Sequence, residues 1–392
     1  MSTASAPSRT PWVRAIALGV GLSLIVGGIL LAFAWPSLTA SAKDLPVGIV
    51  GPDASVTQVE KAVGEKADGA VDLIRYGDRD AAAAAIEHRE AYGAIVLGDA
   101  PTDAPEVLKA TAASSQVAGV LDGLAAQLQK QIDSQIRTQV EQGVQQMQTT
   151  MGEALTAVMA GQKPQLPQTP GAFEIPTVTV KVTDLAPYAD SDAQGIGLTV
   201  SLFPMVIGGV LGGVLLSLTV AGAWRRITGV IVYSASAGLV LTGILQTWIG
   251  ALQGDFWTNA GAVALTIAAI ASTVTALSGL LGRPGIALGA VSMILFANPL
   301  SAANVPVEFL LDPWGAIGQW MPPGAGATLL RSLSYFPDAD VSFQWLLLGC
   351  WTLAGLLLTA LDPAGRRMAR KVTAGAPASA SVPASASVPA SI

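Results

Sequence analysis

The sequence predicts an α-helical polytopic membrane protein with six transmembrane helices, an extracytoplasmic α/β domain and a long helical stalk between the first and second spans. Two observations predict this class: hydrophobic residues make up 51% of the 392 residues, and charged residues only 12%, about half of the usual globular share. The mean hydropathy is +0.53. Because so few charges could not solvate the surface of a soluble protein, much of the apolar surface must face lipid.

Six apolar runs are long enough to cross a bilayer as helices, which takes about 20 residues each. The first covers residues 15–35 and is predicted to remain as an anchor behind a cytoplasmic N-terminus of residues 1–14. The alternative is a cleaved signal peptide, because residues 40–42, Ala-Ser-Ala, have the form of a cleavage site. The other five form a membrane domain over residues 195–362, and their predicted bounds are 195–223, 227–251, 259–281, 285–303 and 343–361.

The positions of lysine and arginine predict the orientation of the chain. Nine of them flank the spans on one side, whereas only Arg331 lies in a short loop on the other. Because short cytoplasmic loops are enriched in these residues, we expect a multi-pass plasma-membrane protein with both termini in the cytoplasm. Residues 36–194 and an interfacial loop at 304–342 are then extracytoplasmic, and residues 363–392 form a basic, then disordered, cytoplasmic tail.

The predicted extracytoplasmic segment is acidic and has the pattern of a folded domain. Residues 36–194 hold 11 basic and 21 acidic side chains, a net charge of −10. Strand patterns alternate with helical ones, which predicts a small α/β unit with a largely parallel sheet. The predicted strands are 45–50, 71–76 and 92–97. Residues 106–112 are a candidate edge strand, and the β-branched residues 175–183 are predicted to complete the sheet.

A long helix is predicted at residues 115–160. Eleven intervals separate the apolar residues between Val117 and Val158, so the mean interval is 41/11, or about 3.7 residues, and the other face is rich in glutamine. An unbroken helix of this length rises about 65–70 Å. Two alternatives remain open for the narrow apolar stripe: it packs on its own α/β domain, or it pairs with the same helix of a second copy as a dimer stalk.

The sequence contains no constellation for catalysis. It has no Gly-x-x-x-x-Gly-Lys-Ser/Thr motif, which excludes nucleotide hydrolysis by that route. The single Cys350 and single His88 exclude a disulfide framework and multi-histidine metal sites, and His88 is predicted to be a solvated surface residue. A pI near 4.8 argues against a nucleic-acid partner. We therefore expect a chain that is not an enzyme, has no cofactor or metal, and has the lipid bilayer as a partner.

The predicted spans contain few polar groups. Gln246 and Asn298 are the notable ones, and each either faces a substrate pathway or hydrogen-bonds a neighbouring helix. No acidic or basic residue lies deep in a span, which argues against ion-coupled transport. Overlapping Gly-x-x-x-Gly pairs allow close helix packing, within one bundle or between subunits, and their members are Gly208, Gly209, Gly212 and Gly213.

The segment between the last two predicted spans is apolar yet rich in proline and glycine, and its aromatic residues Trp314, Trp320, Tyr335 and Phe336 suit a membrane headgroup belt. A proline-rich stretch with an acidic residue, an aromatic residue, a second proline turn and a late arginine resembles the last part of ABC-2 type transporter permeases. The residues that carry this resemblance are Pro299, Pro306, Glu308, Pro313, Trp314, Pro322, Pro323, Arg331 and Phe336.

The order of one span, a large extracytoplasmic domain and five further spans also resembles this family. Residues 45–50, 92–97 and 192–213, the last with Phe203-Pro204 and the glycine pairs, resemble the branch that includes phage-infection-protein-like permeases. The resemblance implies a homodimer or heterodimer of permease chains that exports a lipid, polymer or drug-like substrate with energy from a separate cytoplasmic ATPase. The alternative is a non-transporting membrane scaffold or receptor, whose extracytoplasmic domain binds a cell-envelope or secreted partner. A weaker alternative is a membrane enzyme acting on lipids, which the absence of clustered titratable residues disfavours.

An ATPase would need permease backbone that is exposed in the cytoplasm. The best candidate is the predicted turn of Trp224, Arg225 and Arg226, because tryptophan anchors at an interface and arginines pair with carboxylates. The alternative is that the two arginines only set the orientation and contact anionic lipid.

Overall fold

A computed structural model describes residues 13, 20, 27, 31, 33, 41–66, 69–98, 103–160, 178–303 and 305–361. The structure is mostly helical and contains one small sheet. It has two parts: an α/β unit that carries a long helix, and a helical bundle that begins at Ile196. The predicted first span (15–35) lies largely outside the described residues, and the predicted tail (363–392) lies wholly outside them.

The α/β unit confirms the predicted alternation of strands and helices. Its elements are β1 (Leu45–Val50), α1 (Asp53–Lys66), β2 (Val71–Arg75), α2 (Arg79–Glu87), β3 (Gly93–Val96), β4 (Glu106–Lys109), α3 (Ser115–Met159) and β5 (Lys181–Asp184). The sheet has the order β2-β1-β3-β4-β5. Only the β3–β4 pair is antiparallel among these, so the sheet is largely parallel, as the sequence predicted.

The prediction of an edge strand at 106–112 was wrong. Strand β4 pairs with both β3 and β5, so it is internal, and it ends at Lys109. The physical reason is that Val107 and Leu108 are both fully buried, which places apolar side chains on both faces of the strand. The edge on this side is β5, which covers the end of the predicted strand 175–183.

Local chemistry explains where the two best-defined helices of this unit begin. The Asp78 carboxylate accepts a hydrogen bond from the Ala81 amide at 2.8 Å, and the Ser114 hydroxyl accepts one from the Val117 amide at 3.3 Å. These caps satisfy amide groups that have no partner within helices α2 and α3. Helix α2 then buries its alanine-rich face and Ile86 against the sheet.

Helix α3 has 45 residues and rises about 68 Å at 1.5 Å per residue. Its first turns pack on the sheet, where Val117, Leu121 and Ala125 are buried with Val107. The distal part of the apolar stripe is exposed, and its members are Val144, Met147, Met151, Leu155 and Val158. Packing on its own domain therefore accounts for the first part of the stripe only.

The bundle contains four helices that are long and apolar enough to cross a membrane among the described residues: Ile196–Thr219, Ala223–Trp248, Phe256–Leu281 and Ser342–Leu361. These correspond to four of the predicted spans within a few residues. In chain order these four helices are labelled α4, α5, α6 and α10, and α5 consists of Ala223–Thr242 continued by a π-helical turn to Trp248. Three shorter helices lie between α6 and α10: α7 (Arg283–Val291, continued to Ala297), α8 (Trp314–Gln319) and α9 (Pro322–Tyr335).

The prediction of a full span at 285–303 was wrong. The apolar helix runs from Arg283 to Ala297, which is about 22 Å and shorter than the roughly 30 Å hydrocarbon core of a bilayer. It stops because Asn298 is followed by Pro299, which has no backbone N–H and begins a short 3₁₀ turn. The six-span count is therefore not reached by helices of spanning length in the part of the chain that the structure describes.

Helix α6 is the central helix of the bundle. It contacts α4, α5, α7, α9 and α10. In an apolar stretch of 18 residues, 67% of α6 is buried, whereas the corresponding share in the other three long helices is 22–44%. Those three expose large apolar side chains such as Leu215, Val240 and Leu357 on their outer faces. Exposed apolar faces around a buried centre are what a lipid environment stabilises.

Candidate functional site at the junction of the two parts

The connections at one end of the bundle lie against the α/β unit. The Ser191 hydroxyl donates to the Gly250 carbonyl at 2.9 Å, and the Tyr335 hydroxyl donates to the Ala251 carbonyl at 3.3 Å. The segment 298–341, which connects α7 to α10, lies at the same end and is called the junction loop here. Arg225, in the first turn of α5, and Arg283, the first residue of α7, lie at the other end of the bundle.

The junction loop is anchored in the core of the α/β unit. Phe336 is 1% exposed and packs with Ala91, Ala94 and Leu108, although the sequence predicted it in a headgroup belt. That prediction was wrong for Phe336, because the neighbouring sheet offers an apolar pocket that removes the ring from water; burying such a side chain contributes about 1.5–3 kcal/mol. Trp314 and Trp320, by contrast, are more than half exposed, at 51% and 61%.

Arg89 reaches from the α/β unit into the junction loop. It follows the end of α2 with a φ of +64°, a left-handed conformation that is unusual for a residue other than glycine. Its Nη1 donates to the Ser332 hydroxyl at 2.7 Å and to the Thr328 carbonyl at 3.4 Å, and its guanidinium lies 5.4 Å from the centre of the Phe336 ring. Burial, and secondarily the charge of Arg331, lower the pKa of Arg89 to about 10.

Two further polar contacts join the parts. The Tyr92 hydroxyl donates to Oε2 of Glu308 at 2.7 Å, and burial, with the charge of Glu308, raises the pKa of Tyr92 well above its usual value. Nη2 of Arg331 donates to the Ala303 carbonyl at 2.6 Å, and burial lowers the pKa of this guanidinium. His88 is exposed, as predicted, and its Nδ1 lies 2.8 Å from the Asp338 carbonyl oxygen.

A cavity of about 260 Å³ lies between the α/β unit and the junction loop, and of the residues above, His88, Arg89, Tyr92, Glu308, Thr328 and Ser332 line it. Its walls carry charged, hydroxyl and amide groups, among them Arg89, Tyr92, Glu308, Ser332, Asp340 and Gln344. The cavity can therefore hold a small polar ligand, with a cation on one wall and two carboxylates elsewhere.

The residues of the predicted family pattern do not all contribute to this cavity. Glu308 lies in its wall, Arg331 lies close to Arg89, and Phe336 fixes the loop. Pro322 and Pro323 begin α9, where a missing backbone N–H costs no hydrogen bond. The remaining members shape the turns and short helices of the loop, and they are Pro299, Pro306, Pro313 and Trp314.

The predicted ATPase contact lies at the far end of the bundle, but not in a turn. Trp224, Arg225 and Arg226 belong to the first turn of α5, and the connection is Val220–Gly222, where Gly222 has a φ of +93°. Trp224 is 77% exposed, and Arg225 is also exposed. Arg226 instead donates to the carbonyls of Ser217 and Val220, the last groups of α4 that lack a helical partner.

The two polar candidates are placed differently. Gln246 donates to the Gly254 carbonyl at 2.8 Å and accepts from the Asn259 amide at 3.0 Å, so it joins α5 to α6 and favours the helix-packing alternative. Asn298 ends the helix before the junction loop, where its backbone carbonyl accepts from the Ser301 hydroxyl at 2.6 Å.

The glycine pairs of α4 pack within the bundle of one chain. A Cβ at Gly209 would lie 3.0 Å from Ile270, and one at Gly213 would lie 2.8 Å from Val274, both on α6. A Cβ at Gly212 would overlap the ring of Tyr233 on α5, and the Tyr233 hydroxyl donates to the Gly208 carbonyl at 2.7 Å. Of the two predicted alternatives, close packing within one bundle is the one that these contacts support.

Sequence reasoning missed Arg89 and Tyr92. Arg89 stands in the charged run Glu87-His88-Arg89-Glu90, where only His88 was considered as a functional residue. Its partner Ser332 is 243 residues away, and a left-handed arginine has no signature in the sequence. Only the contact itself could have shown the role of this residue.

Comparisons of this chain with protein-family models, with curated proteins and with solved structures found no match. The functional proposals are therefore based on the geometry of the junction and of the bundle, at residues that the structure describes.

Proposed function

We propose that this chain is the membrane permease subunit of an ABC-2 type exporter, which moves a lipid, polymer or drug-like substrate outward with energy from a separate cytoplasmic ATPase. The observation that carries the proposal is the junction loop, which packs on the central helix α6 and at the same time buries Phe336 in the α/β unit. A movement of α6 would therefore reach the α/β unit through a continuous chain of packed and hydrogen-bonded groups.

The interfaces of the bundle suit helices that shift against one another. Helix α4 approaches α6 through Gly209 and Gly213, and α5 approaches it through Gly238, where a Cβ would lie 2.6 Å from the Ala260 carbonyl oxygen. Such small-residue contacts let helices pack closely by van der Waals contact. They do not include ion pairs, which would fix the position of one helix along the other. This property supports a bundle with more than one arrangement, as alternating access requires.

Energy would enter at the end of the bundle opposite to the junction. Arg226 is engaged with the carbonyls that end α4, so it couples α4 to α5 within the chain. Trp224 and Arg225 are exposed beside it and form the surface that a partner ATPase would contact in this proposal. Carboxylates on that partner would pair with the Arg225 guanidinium.

A pull-down tests the proposal. The full chain is solubilised from its native membrane in mild detergent, and an ATPase subunit is expected to co-purify with it. Arg225→Gln should reduce the recovered ATPase about tenfold, because a charge-assisted contact contributes about 1.5–3 kcal/mol. Lys130→Gln, an exposed basic residue on α3, is the matched control and should leave recovery unchanged. Recovery of no ATPase with the unaltered chain would contradict the proposal.

The second candidate is a scaffold or receptor that binds a cell-envelope or secreted partner. The specific observation that favours it is the exposed distal stripe of α3, on which Met151 is 68% and Leu155 is 65% exposed. The same pull-down distinguishes the two candidates. A secreted or envelope protein recovered without an ATPase, and lost with Met151→Glu, would favour the receptor over the exporter.

A further inference from the structure

We infer that the cavity between the α/β unit and the junction loop binds a phosphate group, presented by a lipid headgroup or by a small soluble phosphate ester. The site is assigned from its own geometry and does not depend on the proposed export function. Gln319 of the cavity wall directly precedes the exposed Trp320 in the chain, and tryptophan is enriched where lipid headgroups lie.

The guanidinium of Arg89 in the cavity wall and that of Arg331 close to it form no ion pair with a described carboxylate. Arg89 and Arg331 are part-buried, and none of the described carboxylates lies within 4.0 Å of either one. Charged groups removed from water are normally paired, because desolvation is costly. Burial and the charge of Arg331 disfavour the charged form of Arg89. An anion beside Arg89 would offset both effects.

The donors around the cavity suit a phosphate. A guanidinium has five N–H groups in a planar fork that matches phosphate oxygens, and the described hydrogen bonds of Arg89 use only its Nη1. The amide of Gln344 also lines the cavity, and its Oε1 is buried without a hydrogen-bond partner. A ligand hydroxyl or amine beside the phosphate would satisfy that acceptor.

Two carboxylates in the cavity wall restrict the ligand further. Glu308 accepts from the Tyr92 hydroxyl, and Asp340 accepts from the Ser342 amide at 2.9 Å. Hydrogen bonding to the Ser342 side chain, and secondarily to its amide, lowers the pKa of the Asp340 carboxyl. These fixed negative charges favour a phosphate whose charge is offset by an amine next to it. The volume of about 260 Å³ suits a small headgroup rather than a long acyl chain.

The test uses the full chain and two probes. In detergent the soluble probe is phosphoethanolamine, and in nanodiscs the lipid probe is phosphatidylethanolamine, compared with nanodiscs of an uncharged galactolipid. Binding is measured as the shift of the thermal unfolding midpoint and by native mass spectrometry. Arg89→Gln is expected to weaken binding about tenfold or more. Arg75→Gln is the matched control, since Arg75 lies on the outer surface with Glu60, and it should bind as the unaltered chain does.

The pattern of binding identifies the source of the phosphate. Binding of phosphoethanolamine in detergent assigns a soluble ester, whereas binding of phosphatidylethanolamine alone assigns a lipid headgroup. If Arg89→Gln does not fold, Ala339→Leu provides a second variant, because it narrows the cavity and keeps both arginines, and it should also abolish binding. Failure of both probes to bind the unaltered chain, or equal binding by the altered cavity, overturns the inference. Neither outcome bears on recovery of an ATPase.

Discussion

Glu106 shows how one carboxylate can hold the sheet of the α/β unit to its helices. Nε and Nη2 of Arg79 donate to it at 2.7 and 3.1 Å, the Thr183 hydroxyl donates at 2.5 Å, and Nζ of Lys181 lies at 3.1 Å. These partners, led by Arg79, outweigh the effect of burial and lower the pKa of Glu106 to about 2. A pKa this low keeps the group ionised at neutral pH.

The depressed pKa of Glu106 predicts a specific acid sensitivity. A carboxyl with a lower pKa in the folded state stabilises that state above its unfolded pKa near 4.5, and this contribution is lost as the pH falls towards 2. Glu106→Gln should lower the unfolding free energy at pH 7 by about 2 kcal/mol and flatten the dependence of stability on pH between about 4.5 and 2. Thermal unfolding across that range measures both effects.

The control is Glu87→Gln, which removes an exposed carboxylate at the end of α2. It should leave the stability profile within about 0.5 kcal/mol of the unaltered chain. An identical pH profile for Glu106→Gln and the unaltered chain would show that the ion cluster does not stabilise the unit.

Helix α3 shows how one element can serve two environments. Its first turns are fixed by the sheet and by Gln129, whose amide donates to the Val178 carbonyl at 3.0 Å and accepts from the Val180 amide at 2.7 Å. The apolar stripe continues along the distal turns of the helix, where it is exposed. Most of the side chains in these turns are uncharged. Under the exporter proposal, a second copy of the chain covers this stripe, which is the dimer stalk that the sequence left open.

A crosslink tests the dimer. With Cys350→Ser in the background, Met151→Cys on the apolar stripe should give a disulfide-linked dimer in native membranes under mild oxidation, because Cα atoms must approach within about 7 Å to form the bond. Thr149→Cys is the control, since at 100° per residue it lies on the opposite side of the helix and is also exposed. Equal crosslinking at the two positions, or none at either, would refute the stalk.

In the whole molecule, the α/β unit and the basic helix ends lie at opposite ends of the bundle. The connection between α5 and α6 contacts Ser191, and the junction loop contacts Tyr92, whereas Arg225 and Arg283 begin helices at the other end. Because short cytoplasmic loops are enriched in arginine, the end of the bundle that carries Arg225 and Arg283 is expected to face the cytoplasm, and the α/β unit is expected to lie on the other side.

The orientation can be measured by labelling. In a Cys350→Ser background, an impermeant maleimide added to intact cells should not label Arg225→Cys, and should label it once the membrane is opened. Glu87→Cys, on the exposed surface of the α/β unit, should be labelled in intact cells. Labelling of Arg225→Cys from outside would reverse the orientation or remove a span.

Much of the architecture followed from local patterns. The four long helices, the alternation of β1 to β3 with two helices, and the start of α3 at Ser115 agree with the sequence because hydropathy, side-chain periodicity and capping act over a few turns. The predicted span at 285–303 was wrong because apolar composition continues past Pro299, whereas the helical hydrogen bonding does not.

The junction, by contrast, depends on contacts between distant parts of the chain. Phe336 was expected among headgroups, and the α/β core removes it from water. Arg89 lies in a charged run of the sequence, and Ser332 and Thr328 hold it beside Arg331. Composition and periodicity predicted the long apolar helices and, in a separate segment, a small sheet. The cavity is lined by side chains that are more than 200 residues apart in the sequence. Packing brings them together, and no local sequence pattern predicts such contacts.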